Sequence, residues 1–259
     1  MSTRHARILS FAILVCIMAA ADGIVAAKNI GACGTIAEPG SYLLSKNLTA
    51  VGDCLTVTAD FVTIDLGGFT IFGDGTGGGI KGDGTRRAIT MRDGTITNFN
   101  DGIDFCPVTG PGTTGHQLVV ERVRAINNAD AGICLLYHNV VAGVTVKDSY
   151  AANNGGAGIQ TGGRAVITGN NVSENTDGLK ISGASTIVGN IIAGNSNAGI
   201  LSGNHSFDIV NNRVQGLTIG IQVFCPSRIM GNVIGGATPL ITPPSAGTCT
   251  IEHNTVNPF

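Results

Sequence analysis

Tyr137, His138, Arg164 and Lys180 are the residues of this chain whose types and spacing could do chemistry together. Histidine and tyrosine can move a proton, and arginine and lysine neutralise a carboxylate, which is what removing a proton beside a uronate carboxylate requires. Counted from a repeated Gly–aliphatic step, the fifth position of successive units reads His138, Arg164, Ala184, His205 and Pro226, with Tyr137 beside His138. If the units stack as strands in register, His138 and Arg164 lie on adjacent rungs about 4.8 Å apart, with Lys180 nearby on the same face. These four residues are the candidate site for binding an anionic ligand or moving a proton beside its carboxylate. A solvated strand face must be polar somewhere, so the register of the repeat decides whether the set is a site or ordinary surface.

Other chemistries find less support in the residues. The first outward position after the repeated aliphatic holds Asp104, Cys134, Gln160, Lys180, Leu201 and Gln222, which supplies neither a carboxylate pair for hydrolysis nor a calcium cage. No C-x-x-C pair occurs, the histidines are scattered and the methionines form no copper-binding pattern, so no metal or other cofactor is expected. The chain has no Trp and only Tyr42, Tyr137 and Tyr150, too few rings for a platform that holds neutral sugars by stacking. Arg86, Arg87 and Arg92 sit near Asp83 and Asp93 and read as exposed ion pairs. Removing Arg4, Arg7 and Asp22 with a leader takes the formal charge from −2 to −3, which argues against nucleic acid as a partner.

The elements that must position the candidate residues are set by two interleaved registers. One runs Gly102-Ile103, Gly132-Ile133, Gly158-Ile159, Gly178-Leu179, Gly199-Ile200 and Gly220-Ile221, the last three steps being 20, 21 and 21 residues. The other places Asn170, Asn190, Asn212, Asn232 and Asn254 each three residues after an aliphatic and two before another. Apolar residues alternate within each unit, as in Leu179 and Ile181 or Ile221 and Val223, so the units are short strands broken by Gly, Asn, Asp and Ser. Stacking about twenty residues per turn predicts an all-β, single-stranded parallel β-helix of roughly 9–10 coils. The Asn column then becomes a structural ladder, with Val123 and Ser149 at its position in earlier coils.

Arg4 and Arg7 precede an apolar run from Ile8 to Ala21 and small residues at 25–27, which reads as a signal peptide over 1–27 followed by a β-helix domain over 28–259. The expectation is a secreted or periplasmic protein with no membrane anchor after cleavage. Six cysteines remain, and adjacency in the repeat favours Cys33 with Cys54, Cys106 with Cys134, and Cys225 with Cys249 among fifteen possible pairings. Residues 33–54 and 238–259 are the expected N- and C-terminal cap regions. Pro-containing insertions at 106–116 and 238–247 lengthen coils, as binding loops on solenoids do. Asn47, Asn171 and Asn204 head potential glycosylation sequons.

The run VTIDLGGFTIFGDG from Val62 to Gly75, followed by RDGTITNFNDGI from Arg92 to Ile103 and the ITGN-type coils, resembles the right-handed parallel β-helix repeat proteins of the pectate-lyase-like superfold, including the NosD-like, carbohydrate-binding and sugar-hydrolase repeat families. That resemblance spans the mature chain and implies a right-handed solenoid. The group's catalytic members act on acidic polysaccharides, so it implies a polysaccharide ligand, with a lyase favoured over a glycoside hydrolase if the chain is an enzyme. Asn175-Thr176-Asp177-Gly178-Leu179 is similar to a polygalacturonase motif, but Asn197-Ala198-Gly199 stands where that family presents an Asp pair, so Asp177 reads as a bend residue. A NosD-like part in metal-centre assembly and a noncatalytic envelope or adhesion role, with the solenoid face binding protein, are the competing readings.

Overall fold

The computed structural model describes residues 26–83, 85–106, 116–135, 142–243 and 247–258. Among them every regular element is a strand, and all strand pairings are parallel between successive turns of a β-solenoid of about nine turns. No helix of the described residues is long and apolar enough to cross a membrane.

One coil shows the plan. Ala157–Thr161 lies in a ten-stranded sheet, Ala165–Thr168 forms a first wall of a nineteen-stranded sheet, and Asn171–Ser173 forms its second wall. Ile89–Thr97 and His116–Ile126 run through both walls, which is why the two walls count as one bent sheet. The inward aliphatics stack exactly one turn apart: Ile159 on Leu179, Ile200 and Ile221; Ile167 on Ile187, Ile209 and Ile229; Val172 on Ile192, Val214 and Ile234. All are buried and form one continuous core. Short β-branched strands suit this arrangement because each side chain packs on its copy above and below.

Two corners are held by side-chain amides. Between the walls, Ser149 and then Asn170, Asn190, Asn212, Asn232 and Asn254 each accept a main-chain N–H from the preceding coil. On the return to the ten-stranded sheet a second column, Asn128, Asn154, Asn175 and Asn195, does the same, its members bonded amide to amide at 2.9, 2.9 and 3.1 Å. The sequence carries a signal for this second ladder, an Asn three or four residues before Gly132, Gly158, Gly178 and Gly199. It is masked by the neighbouring Thr176 and Asp177, which make Asn175 look like part of a catalytic motif.

Cys33–Cys54, Cys106–Cys134 and Cys225–Cys249 are disulfides, each joining neighbouring coils. Gly34–Ile36 opens the ten-stranded sheet and Thr238–Ile241 closes it, so both regions read as caps from sequence contribute strands to the stack. The last coil leaves its inward Ile251 and Val256 at 46% and 45% exposure, whereas Ile30 and Ile36 in the first coil are buried.

Candidate functional site

The first wall changes character along the axis. In the N-terminal coils one outward column reads Asp65, Arg92, Glu121 and Lys147 in strict register, alternating in sign. Arg92 meets Asp65 at 3.0 Å and Lys147 meets Glu121 at 2.7 Å, so these charges satisfy one another. Arg86 and Arg87 likewise pair with Asp83 and Asp60. Beyond Lys147 the ladder of charges stops, and a groove of about 530 Å³ opens over the next five coils.

Its rungs are the outward residues Val166, Thr186, Asp208, Arg228 and Thr250, each paired in register with the next. Ser185 and Ser227 beneath them are spent on structure, since their hydroxyls accept the N–H groups of Ala165 and Phe207 and donate to Gly183 and Phe224 carbonyls. That leaves the hydroxyls of Thr186, Ser206, Thr248 and Thr250 to meet a ligand. Asp208 accepts a hydrogen bond from Arg228 at 2.9 Å.

Arg164 stands at the entry of the groove, exposed and without a carboxylate partner among the described residues. It occupies the corner where the chain leaves the ten-stranded sheet, at φ 56°, with its N–H donating to the Ala184 carbonyl at 2.5 Å. Left-handed backbone is costly for a non-glycine residue, yet Phe61, Ala88, Gln117 and Gly143 hold the same sign of φ at the entries of earlier coils, so the turn type belongs to the corner.

Of the four residues singled out in the sequence, the two that are described, Arg164 and Lys180, lie on different faces of the solenoid. Tyr137 and His138 lie outside the described residues. Val144 pairs with Ala165, which sets Gly143 beside Arg164 on the first wall. Lys180 points outward from the ten-stranded sheet between Gln160 and Leu201, and it does not line the groove that Arg164 enters. Asp177 is 8% exposed, in register with Ala157 and Ala198, and accepts a hydrogen bond from Asn197, as a corner residue does.

A second set of titratable groups lies at the N-terminal end of the outward column that contains Asp104. One coil earlier the same column holds Lys81, paired with Asp104 across the ten-stranded sheet. The Lys81 ammonium lies 3.1 Å from Asp53 and 3.8 Å from Asp104. Burial pushes the carboxyls of both Asp104 and Asp101 above the usual carboxylate range, and for Asp101 the nearby Asp104 and Asp130 add to the effect. A raised carboxyl pKa in the folded state means that the fold holds the proton more tightly than the unfolded chain does. The stability it contributes is present at acid pH and is lost as pH rises through the folded value. Asp101→Asn keeps an oxygen for the Ala131 N–H, which Asp101 accepts at 2.8 Å. The variant is expected to melt higher at pH 7, with the gain vanishing toward acid pH. Melting curves of both proteins across that range check this, and an advantage that persists in acid would assign the gain to something other than charge.

The fold is similar to that of the Dettilon tailspike protein, with a TM-score of 0.64 and 14% identity over 89% of this chain and 54% of the tailspike chain. It is also similar to the A-module of the mannuronan C-5 epimerase AlgE6 of Azotobacter vinelandii, with a TM-score of 0.53 and 14% identity over 89% of this chain and 80% of that module. At such identity the likeness concerns the fold alone. The chain spans about half of the tailspike's length. No curated protein sequence matches it. Residues 62–238 match the family model described as periplasmic copper-binding protein (NosD), and the chain belongs to the NosD family.

Proposed function

We propose that this protein is an exported β-helix protein that binds an acidic polysaccharide along the groove of its first wall, with Arg164 as the anionic anchor. The carrying observation is the groove itself, five rungs long, edged by hydroxyls and entered by a guanidinium with no carboxylate partner among the described residues. Rungs repeat at about 4.8 Å, close to the advance of an extended pyranose chain, so a glycan laid along the axis can present one residue per coil. Three disulfides support an oxidising compartment, as does a family described as periplasmic. A structural relative named for acting on mannuronan, a polyuronate, supports the ligand class.

The family's description names copper. Among the described residues no three His, Cys, Asp or Glu side chains converge, and Cys33, Cys54, Cys106, Cys134, Cys225 and Cys249 are all tied in disulfides. Copper sites draw on thiolate, thioether or imidazole ligands, and the described cysteines and histidines do not assemble a thiolate or imidazole set.

Titration calorimetry with soluble acidic oligosaccharides tests the reading. The protein should bind, and Arg164→Ala should weaken binding by about tenfold or more, the worth of one desolvated charge-assisted contact. Unchanged affinity in that variant would remove Arg164 from the site. If Tyr137, His138 or Lys180 cleave a bound uronate by elimination, incubation should release unsaturated product absorbing in the near ultraviolet; without such product or new reducing ends, chain cleavage is ruled out.

A further inference from the structure

Resting on the reading of the groove as a glycan site, we infer that the glycan it selects carries its anionic residues spaced apart by neutral ones, rather than a charge on every residue. The groove supplies two guanidinium groups, from Arg164 and Arg228, and one carboxylate, Asp208. Asp208 sits on the middle rung, between Thr186 and Arg228 in register, and takes the Arg228 guanidinium at 2.9 Å. Among the described residues the site therefore has one cation without a carboxylate partner, Arg164, and a guanidinium–carboxylate pair at its centre.

A uniform polyuronate lying one residue per coil would bring a carboxylate over every rung, including directly over Asp208. Like charges facing one another across an interface are strongly disfavoured, and discrimination of this kind rests as much on the repelled ligand as on the favoured one. A chain with one charged residue avoids the conflict. Its carboxylate meets Arg164, and the apolar face of the same sugar lies on the exposed Val166 at the first rung. Its neutral residues offer hydroxyl groups that donate to Asp208 and exchange hydrogen bonds with Thr186 and Ser206. The Asp208–Arg228 pair then serves as a hydrogen-bonding station for neutral sugar and as a gate against a second adjacent anion.

Three pentameric probes separate the possibilities by calorimetry on the full-length mature protein at moderate salt: a xylotetraose bearing a single glucuronate, neutral xylopentaose, and pentagalacturonate. The singly charged oligosaccharide should bind about tenfold or more tighter than either of the others. Asp208→Asn preserves shape and hydrogen bonding while removing the repulsion, and Asp208→Ser removes the pair altogether. Both substitutions fall on a half-exposed side chain, and both should shift the ratio of pentagalacturonate affinity to singly charged affinity about tenfold toward pentagalacturonate. Wild-type protein that prefers pentagalacturonate, or Asp208 variants that leave the ratio unchanged, would overturn the spacing rule while leaving the groove as a glycan site. Binding of none of the three probes would overturn the groove reading, and the spacing rule with it.

Discussion

Replacing Asn190 with alanine is expected to destabilise the solenoid by about 3–5 kcal/mol, because two buried donors lose their acceptor at once. Asn190 is 1% exposed, and its Oδ1 accepts both the main-chain N–H and the side-chain Nδ2–H of Asn170, each at 3.0 Å. Its own Nδ2 donates to the Ile167 carbonyl at 2.9 Å and to Asn212 Oδ1 at 2.9 Å. Alanine leaves the Asn170 amide pointing at a methyl group in a dry corner, where water cannot substitute. Serine should cost roughly half as much, since Ser149 already shows that a hydroxyl can take the main-chain N–H one coil away, from Val123 at 3.2 Å. Urea denaturation of the two variants measures this. Hydrogen exchange at the Asn170 amide should report local opening even if the remote coils stay folded, because a solenoid's stability is a sum over neighbouring turns. A cost below about 1 kcal/mol for alanine would mean that packing of the flanking aliphatics alone holds the corner.

That ladder was legible because its residues share a type and a spacing. Ile187, Asn190 and Ile192 repeat as Ile209, Asn212 and Val214, so one unit predicts the next and the stacking follows from period alone. The groove has no such signature. Val166, Thr186, Asp208, Arg228 and Thr250 have little in common chemically, and only the pairing of their strands makes them neighbours. Counting also fails wherever a corner changes length. Ser185 pairs with Phe207, so Ser206, not His205, falls at the level of Ala184 and Pro226. A residue inserted at a corner offsets the count along the wall that follows until a bulge restores it, and a longer corner puts Gly143 at the level of Arg164. The repeat thus discloses inward residues, which are selected by the core, far better than outward ones, whose neighbours depend on each corner.

Substituting alanine for Gly178 is expected to cost at least about 3 kcal/mol, by overpacking. A Cβ built there would lie 2.5 Å from the Gly199 carbonyl oxygen, 2.5 Å from the Ile192 Cγ2 and 2.8 Å from the Asn195 amide nitrogen. The first contact is backbone of the next coil, held by its own ladder hydrogen bonds, and it cannot give without separating the turns. Gly189 provides the control. It sits at φ 67° with nothing within 4 Å of its would-be Cβ, so alanine there bears only the left-handed backbone cost of about 1–2 kcal/mol. Urea midpoints of the two variants should therefore differ clearly, with Gly178→Ala the lower, and equal losses would show that crowding is not what demands glycine in this column. The same approach recurs at Gly102, Gly132 and Gly199, each with the carbonyl of the next glycine in the column 2.6–2.8 Å from its would-be Cβ. The Gly–aliphatic step is thus imposed by the closeness of successive coils beside the second Asn ladder. It would be required of this solenoid whatever its surface binds, and the information about function lies in the outward residues that the repeat leaves free to differ.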